Sequence, residues 1–192
     1  MDKNEALQIV KEQLTENRYK HTLGVRETAL YLAERFDIDY NKVEIAAILH
    51  DYAKYRPVEE MRELLRGKEG AGRFIAYGDE LLHAPAGAYF IQTEAGIEDA
   101  DIVSSIYWHT TGKPNMTAYE KVLFLADYIE PNRTFPGVEE VREAAETDID
   151  AAIVMALGNT IQFLISKNVP VFPDTLAAYN DLVPTHMVFH YK

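Results

Sequence analysis

Six side chains able to bind a metal occupy positions where a folding helix ordinarily places apolar ones. His21 lies on a helical face with Val25, Thr28 and Leu32. His50 follows Val43, Ala46 and Ala47, His83 leads Ala86, Gly87 and Phe90, and His109 follows Ile102 and Ile106, all at helical spacing. Two carboxylates behave the same way: Asp51 ends the most apolar helical run, and Asp127 sits directly behind Val122-Leu123-Phe124-Leu125-Ala126. A buried carboxylate is costly unless it is paired, hydrogen-bonded or bound to a metal. One buried histidine is explained by a backbone carbonyl; six such coincidences on one small scaffold point to a shared ligand. Neutral imidazoles with carboxylates are the donors that suit iron, manganese, cobalt or zinc. The chain has no cysteine, which removes thiolate nucleophiles, disulfides and sulfur-ligated metals. His50 and Asp51 are adjacent, and neighbours on a helix diverge by about 100°. Both reach one ion only if it sits off the helix end, with further ligands arriving from neighbouring helices.

The elements that must position these groups are helical. The apolar period is close to 3.6 throughout, and no alternating strand pattern stands out. Helices are expected around Ala6–Leu14, Tyr19–Phe36, Asn41–Lys54 (apolar nearly all round, hence central), Pro57–Leu65, Pro85–Glu94, Glu98–His109, Thr117–Ile129, Val138–Glu146 and Asp148–Ser166. Gly67, Gly70 and Gly72 mark a loose connection, the segment 66–78 is the least constrained, and the only tryptophan, Trp108, reads as core. The fold class is all-α, one domain over residues 1–192 of about ten helices, with 170–192 a C-terminal segment packing on the core. With 192 residues and 47% hydrophobic composition, the chain can bury about 70% of its unfolded surface. Its net charge of −12 argues against binding a nucleic acid polymer, whose affinity comes largely from phosphate neutralisation. The longest apolar run, Ala151 to Gly158, is short of the ~20 residues of a membrane span. No signal-peptide core follows Met1, so a cytoplasmic location is expected.

The ordered set His21, His50-Asp51, Asp127 resembles the H…HD…D signature of the HD-domain metal-dependent phosphohydrolases, and His83 with His109 extends it to the subgroup that can hold two ions. The words around these residues are Arg18-Tyr19-Lys20-His21-Thr22-Leu23-Gly24-Val25, His50-Asp51-Tyr52-Ala53-Lys54, Leu82-His83-Ala84-Pro85-Ala86-Gly87-Ala88, Trp108-His109-Thr110-Thr111-Gly112 and Leu125-Ala126-Asp127-Tyr128-Ile129-Glu130-Pro131-Asn132-Arg133, with a late Pro173-Asp174-Thr175 and Tyr179-Asn180. That series is similar to the YqeK family across nearly the whole chain. The resemblance implies an HD-domain helical bundle, symmetrical hydrolysis of diadenosine tetraphosphate into two ADP, and a preference for iron. It implies a primary metal site of His21, His50, Asp51 and Asp127. Asp51 would bridge to any second ion, since two-metal hydrolases hold their ions ~3.5–4 Å apart. His83 and His109 would ligate that second ion or contact substrate phosphate. Asp51 or Asp127 could orient the attacking water, and His83 or His109, if not on metal, could protonate the leaving phosphate.

A tetraphosphate bridge needs cations beyond the metal. Arg18 precedes His21 by three residues, Lys54 follows Asp51 by three, and Arg133 lies six beyond Asp127, past Pro131. All three are candidates for phosphate oxygens, against ordinary salt bridges, for Lys54 an ion pair with Asp51. Thr110 could donate a hydroxyl or merely end a helix. The stretch Pro170-Val171-Phe172-Pro173-Asp174-Thr175 offers an aromatic ring for a nucleobase or simply packs the last helix. His186 and His190 read as surface or packing residues. The competing functions are hydrolysis of another nucleotide (a nucleoside monophosphate or guanosine alarmone), di-iron oxygen chemistry, and a nucleotide-binding regulator without turnover. HD-domain resemblance also makes a homodimer plausible.

Overall fold

The apolar period becomes ten α-helices in the computed structural model, which describes residues 1–183. They are α1 Lys3–Gln13, α2 Glu16–Ala33, α3 Tyr40–Leu49, α4 Val58–Arg66, α5 His83–Ala95, α6 Ala100–Trp108, α7 Ala118–Ile129, α8 Val138–Ala145, α9 Ile149–Ser166 and α10 Pro173–Leu182. Two 3-10 helices, Ala71–Tyr77 and Asp79–Leu81, join α4 to α5. No strand occurs among the described residues. His186 and His190 lie outside them.

Side-chain caps fix several helix starts. Thr15 accepts from the Arg18 amide at α2, Asp39 from Asn41 at α3, Asp99 from Asp101 and Ile102 at α6, and Thr117 forms a capping box with Glu120 at α7. Each such cap contributes about 1 kcal/mol. The centre is α3, whose Val43, Ile45, Ala46, Ala47, Ile48 and Leu49 are all buried. Helix α2 packs on α3 and α7, and α6 packs on α3, α5 and α7. The helices that carry these histidines and aspartates therefore surround one interior. Helices α8 and α10 pack on α9, which leans on α7.

Three expectations need correction. Helix α3 stops at Leu49, not Lys54, because the His50 ring takes the Ala47 carbonyl at 2.7 Å. In a continuing helix that carbonyl would accept the Asp51 amide, so the side chain competes with the backbone ladder. The chain goes on in i→i+3 turns, Tyr52 to Leu49 and Lys54 to Asp51. Residues 71–77 are not a loose loop: Ala71 and Phe74 are fully buried, and Gly70 (φ 73°) and Gly78 (φ 109°) set the ends in backbone that favours glycine. Trp108 is half-buried at the rim of an aromatic cluster, not in the core. The apolar run Ala151 to Gly158 lies in helix α9, whose 18 residues have a mean hydropathy of 1.5, long and apolar enough by length and composition to cross a membrane, although Asn159, Thr160 and Gln162 interrupt it. Its Ile149, Ala152, Ile153, Ala156 and Leu157 are buried, while Phe163 and Ile165 near its end are exposed.

Candidate metal centre

Four imidazoles meet in a row inside the bundle. The ring centroids of His21 and His50 are 5.3 Å apart, those of His50 and His109 5.1 Å, and those of His109 and His83 5.1 Å. Three of these rings are aimed by the same local device. Nδ1 of His50, His83 and His109 stands 2.7, 2.8 and 2.7 Å from the carbonyl three residues earlier, of Ala47, Glu80 and Ile106 respectively. A carbonyl only accepts, so Nδ1–H donates and the lone pair of the neutral ring is on Nε2. His21 differs, because its Nδ1 meets the Glu130 carboxylate at 3.0 Å, which leaves its lone pair on Nε2 as well.

All four Nε2 atoms point inward. His21 Nε2 lies 3.3 Å from His50 Nε2, and His83 Nε2 lies 3.2 Å from His109 Nε2. Two lone pairs cannot hydrogen-bond each other, so each pair calls for a cation between its members. The carboxylates complete the arrangement. Asp51 Oδ2 is 3.0 Å from His50 Nε2 and 3.7 Å from His21 Nε2, while its Oδ1 is 3.3 Å from His83 Nε2. Asp127 Oδ1 is 3.0 Å from His21 Nε2 and 3.9 Å from His50 Nε2. Donor atoms of His21, His50 and Asp51, and separately of Asp51, His83 and His109, lie within 4.8 Å of one another. Asp51, fully buried with Oδ1 lacking a hydrogen-bond partner, is common to both sets. An orphaned carboxylate oxygen facing uncommitted imidazole nitrogens fits a divalent ion and little else.

The electrostatics agree. Burial opposes ionisation of Asp51, but the charge on His50 and its hydrogen bond to the carboxylate hold Asp51 well below the usual range. Asp127 is likewise held low against burial, by the His21 ring that faces it and the nearby His50 and Arg133. Burial, then His50 and His83, push His109 down to about 3, so it is a neutral imidazole ready to ligate. Burial also opposes charging His50, yet Asp51 and Asp127 raise it overall: without a metal, a proton on His50 is the available stand-in.

The remaining candidates divide. Arg18 Nε bonds Asp51 Oδ2, and Arg133 bonds Asp127 through Oδ1 at 2.7 Å and the backbone carbonyl at 3.0 Å. Both are salt bridges, but to the carboxylates that face the histidine cluster. With Lys20, His21, Tyr55 and Asn132 they line a cleft of about 450 Å³. Lys54 Nζ pairs with Glu80 at 3.2 Å and not with Asp51. The Thr110 hydroxyl is buried without a partner. Phe172 is only 1% exposed, stacked on Phe74 at 4.3 Å with the Arg73 guanidinium 4.9 Å from its ring; neither face is open to a base. Asp174 pairs with Arg73 and Thr175 is buried, while Pro173 opens α10 after Pro170 and Val171. Sequence reasoning missed Glu130, 109 positions from His21. Its one signal is a carboxylate three residues past Asp127, just before a proline.

A helical bundle that gathers a histidine, a His-Asp pair and a distal aspartate in this way defines an HD domain, and the HD domain model matches residues 18–132. The chain belongs to the HD-domain family, as a close relative of its YqeK-type symmetrical tetraphosphatases. It is 57% identical over 183 residues to the symmetrical bis(5'-nucleosyl)-tetraphosphatase of Halalkalibacterium halodurans and 55% identical over 183 residues to that of Bacillus subtilis. Each match covers 95% of this chain and 98% of the relative. The crystal structure of a predicted HD superfamily hydrolase involved in NAD metabolism from Clostridium acetobutylicum superposes with a TM-score of 0.88 at 40% identity, covering 94% of this chain and 96% of that one.

Proposed function

We propose that this protein hydrolyses dinucleoside tetraphosphates such as diadenosine tetraphosphate at the central phosphoanhydride, releasing two nucleoside diphosphates. The observation that carries the reading is the convergence of four Nε2 lone pairs on the Asp51 carboxylate in two overlapping ligand sets. His21, His50, Asp51 and Asp127 would hold the first ion, and His83 and His109, sharing Asp51, a second. Iron is the proposed resident metal; manganese, cobalt and zinc suit the same imidazole–carboxylate donors. When bound, a divalent ion supplies Lewis acidity toward phosphate oxygens and lowers the pKa of a bound water.

The chain's own groups do the rest. Arg18, Lys20 and Arg133 bring three cations to the cleft beside His21, where guanidinium forks match phosphate oxygens. A nucleoside diphosphate arm held there places the central bridge, and not the bond next to either nucleoside, against Asp51 and Asp127. Symmetry follows, since whichever half enters, the two products are the same. Asp51 and Asp127, both held ionised, can orient a water through an accepted hydrogen bond. His109, held neutral by burial, serves as a ligand and not as the proton donor to the leaving phosphate. The test is product identity by ion-exchange chromatography after incubation with diadenosine tetraphosphate and iron(II) or manganese(II). ADP alone supports the proposal; ATP plus AMP, or no turnover with either metal, overturns it.

A further inference from the structure

We infer that Glu130 is a positioning residue which makes the His21 side of the centre the tighter metal site, and that Gly24 exists to admit it. The inference rests on the metal centre proposed above. His21 is sandwiched between two carboxylates from one helix end. Asp127 Oδ1 stands 3.0 Å from its Nε2, and Glu130 Oε1 stands 3.0 Å from its Nδ1. The Glu130 side chain is almost wholly buried, and its second oxygen is also committed, accepting from the Asn132 amide at 2.7 Å and from Asn132 Nδ2 at 2.9 Å. The carboxylate is therefore fixed by both oxygens. The other three ligand histidines give Nδ1–H to neutral carbonyls, whereas His21 alone gives it to a formal negative charge.

That difference acts on the metal. A carboxylate behind a ligand histidine pins the tautomer with its lone pair on Nε2, fixes the ring plane and enriches the donor nitrogen. Gly24, one turn beyond His21 on α2, supplies the space. A Cβ there would stand 2.5 Å from Glu130 Oε2 and 3.2 Å from Asn132 Nδ2, so any side chain at position 24 would push this carboxylate off His21. A glycine in the middle of an 18-residue helix is otherwise unfavourable.

The test is titration of metal-free protein with manganese(II), counting free ion by electron paramagnetic resonance, so that no substrate is involved. Glu130→Gln keeps the shape and an acceptor oxygen but removes the charge. It is expected to weaken the tighter class of sites by about 10–100-fold and to leave the weaker class in place. Gly24→Ala should weaken the same class, whereas His83→Ala should spare it. Unchanged affinity in Glu130→Gln, or equal weakening of both classes, overturns the inference. Should the variants fail to fold, long-range proton–nitrogen NMR of the wild type loaded with zinc decides. Proton on Nδ1 and metal on Nε2 of His21 supports the role, and the opposite tautomer overturns it. Absence of manganese binding by the wild type would defeat the metal centre itself and this role with it.

Discussion

Asp51→Asn is the substitution to which the two-set geometry is most sensitive. Asp51 is fully buried, with Oδ2 toward His21 and His50 and Oδ1 toward His83. An amide of nearly the same volume therefore weakens both sets at once. An ion present at 100 times its Kd stabilises the folded chain by about 2.7 kcal/mol. For a protein of this size each kcal/mol moves the unfolding midpoint by about 2–4 °C. One ion should thus raise Tm by about 5–11 °C, and two by about double, under those conditions. The assay is thermal unfolding followed by circular dichroism at 222 nm, with manganese(II) or with chelator. The metal-free variant also loses the negative partner of Arg18 and His50, and breaking a buried pair costs about 3–5 kcal/mol. The comparison is therefore between metal-induced shifts, not between midpoints. Wild type should show the full shift and Asp51→Asn little of it. A full shift in Asp51→Asn would refute a bridging carboxylate.

Arg18→Ala should destabilise the metal-free protein by about 3–5 kcal/mol, and the metal-loaded protein less, because the ion then neutralises Asp51. Paired chemical unfolding curves measure the difference. Metal affinity should rise with pH. The folded-state pKa of His50 is raised above its ordinary 6.5 by Asp51 and Asp127 against burial. The stability that its proton gives the metal-free chain is complete below the unfolded value and is lost as pH rises through the folded one. An ion competes for the same Nε2, so the manganese-induced shift in Tm should grow as pH rises toward the raised folded-state pKa of His50 and level off above it, read in a pH series of melts. Phe172→Ala should lower stability by about 3–5 kcal/mol with little change in KM for diadenosine tetraphosphate. A large rise in KM without loss of stability would restore Phe172 as a base contact.

The convergence of the four histidines and two aspartates was legible because each of them breaks an apolar helical face, and burial of a charged or ring-polar group demands a partner. That His50 and Asp51 must sit at a helix end to face one interior was legible too, from their adjacency. The end itself was not, since it depends on the His50 ring capturing the Ala47 carbonyl, a competition that hydrophobic period does not encode. Long-range partners were equally hidden. Spacing suggested Asp51 for Lys54, but the side chain turns to Glu80, and nothing local links Glu130 to His21. The 3-10 helix at Ala71–Tyr77 has too short a run to show a period. It is held by Phe74 stacking on Phe172, 98 positions later.

The most direct test of the metal centre is anomalous diffraction from crystals of protein loaded with manganese(II) or iron(II), collected on both sides of the metal edge. One peak is expected against Nε2 of His21 and His50 and the carboxylates of Asp51 and Asp127, and a second against Nε2 of His83 and His109 with Asp51 between them. A metal bound elsewhere, or these six side chains without an anomalous peak at saturating ion, would contradict it.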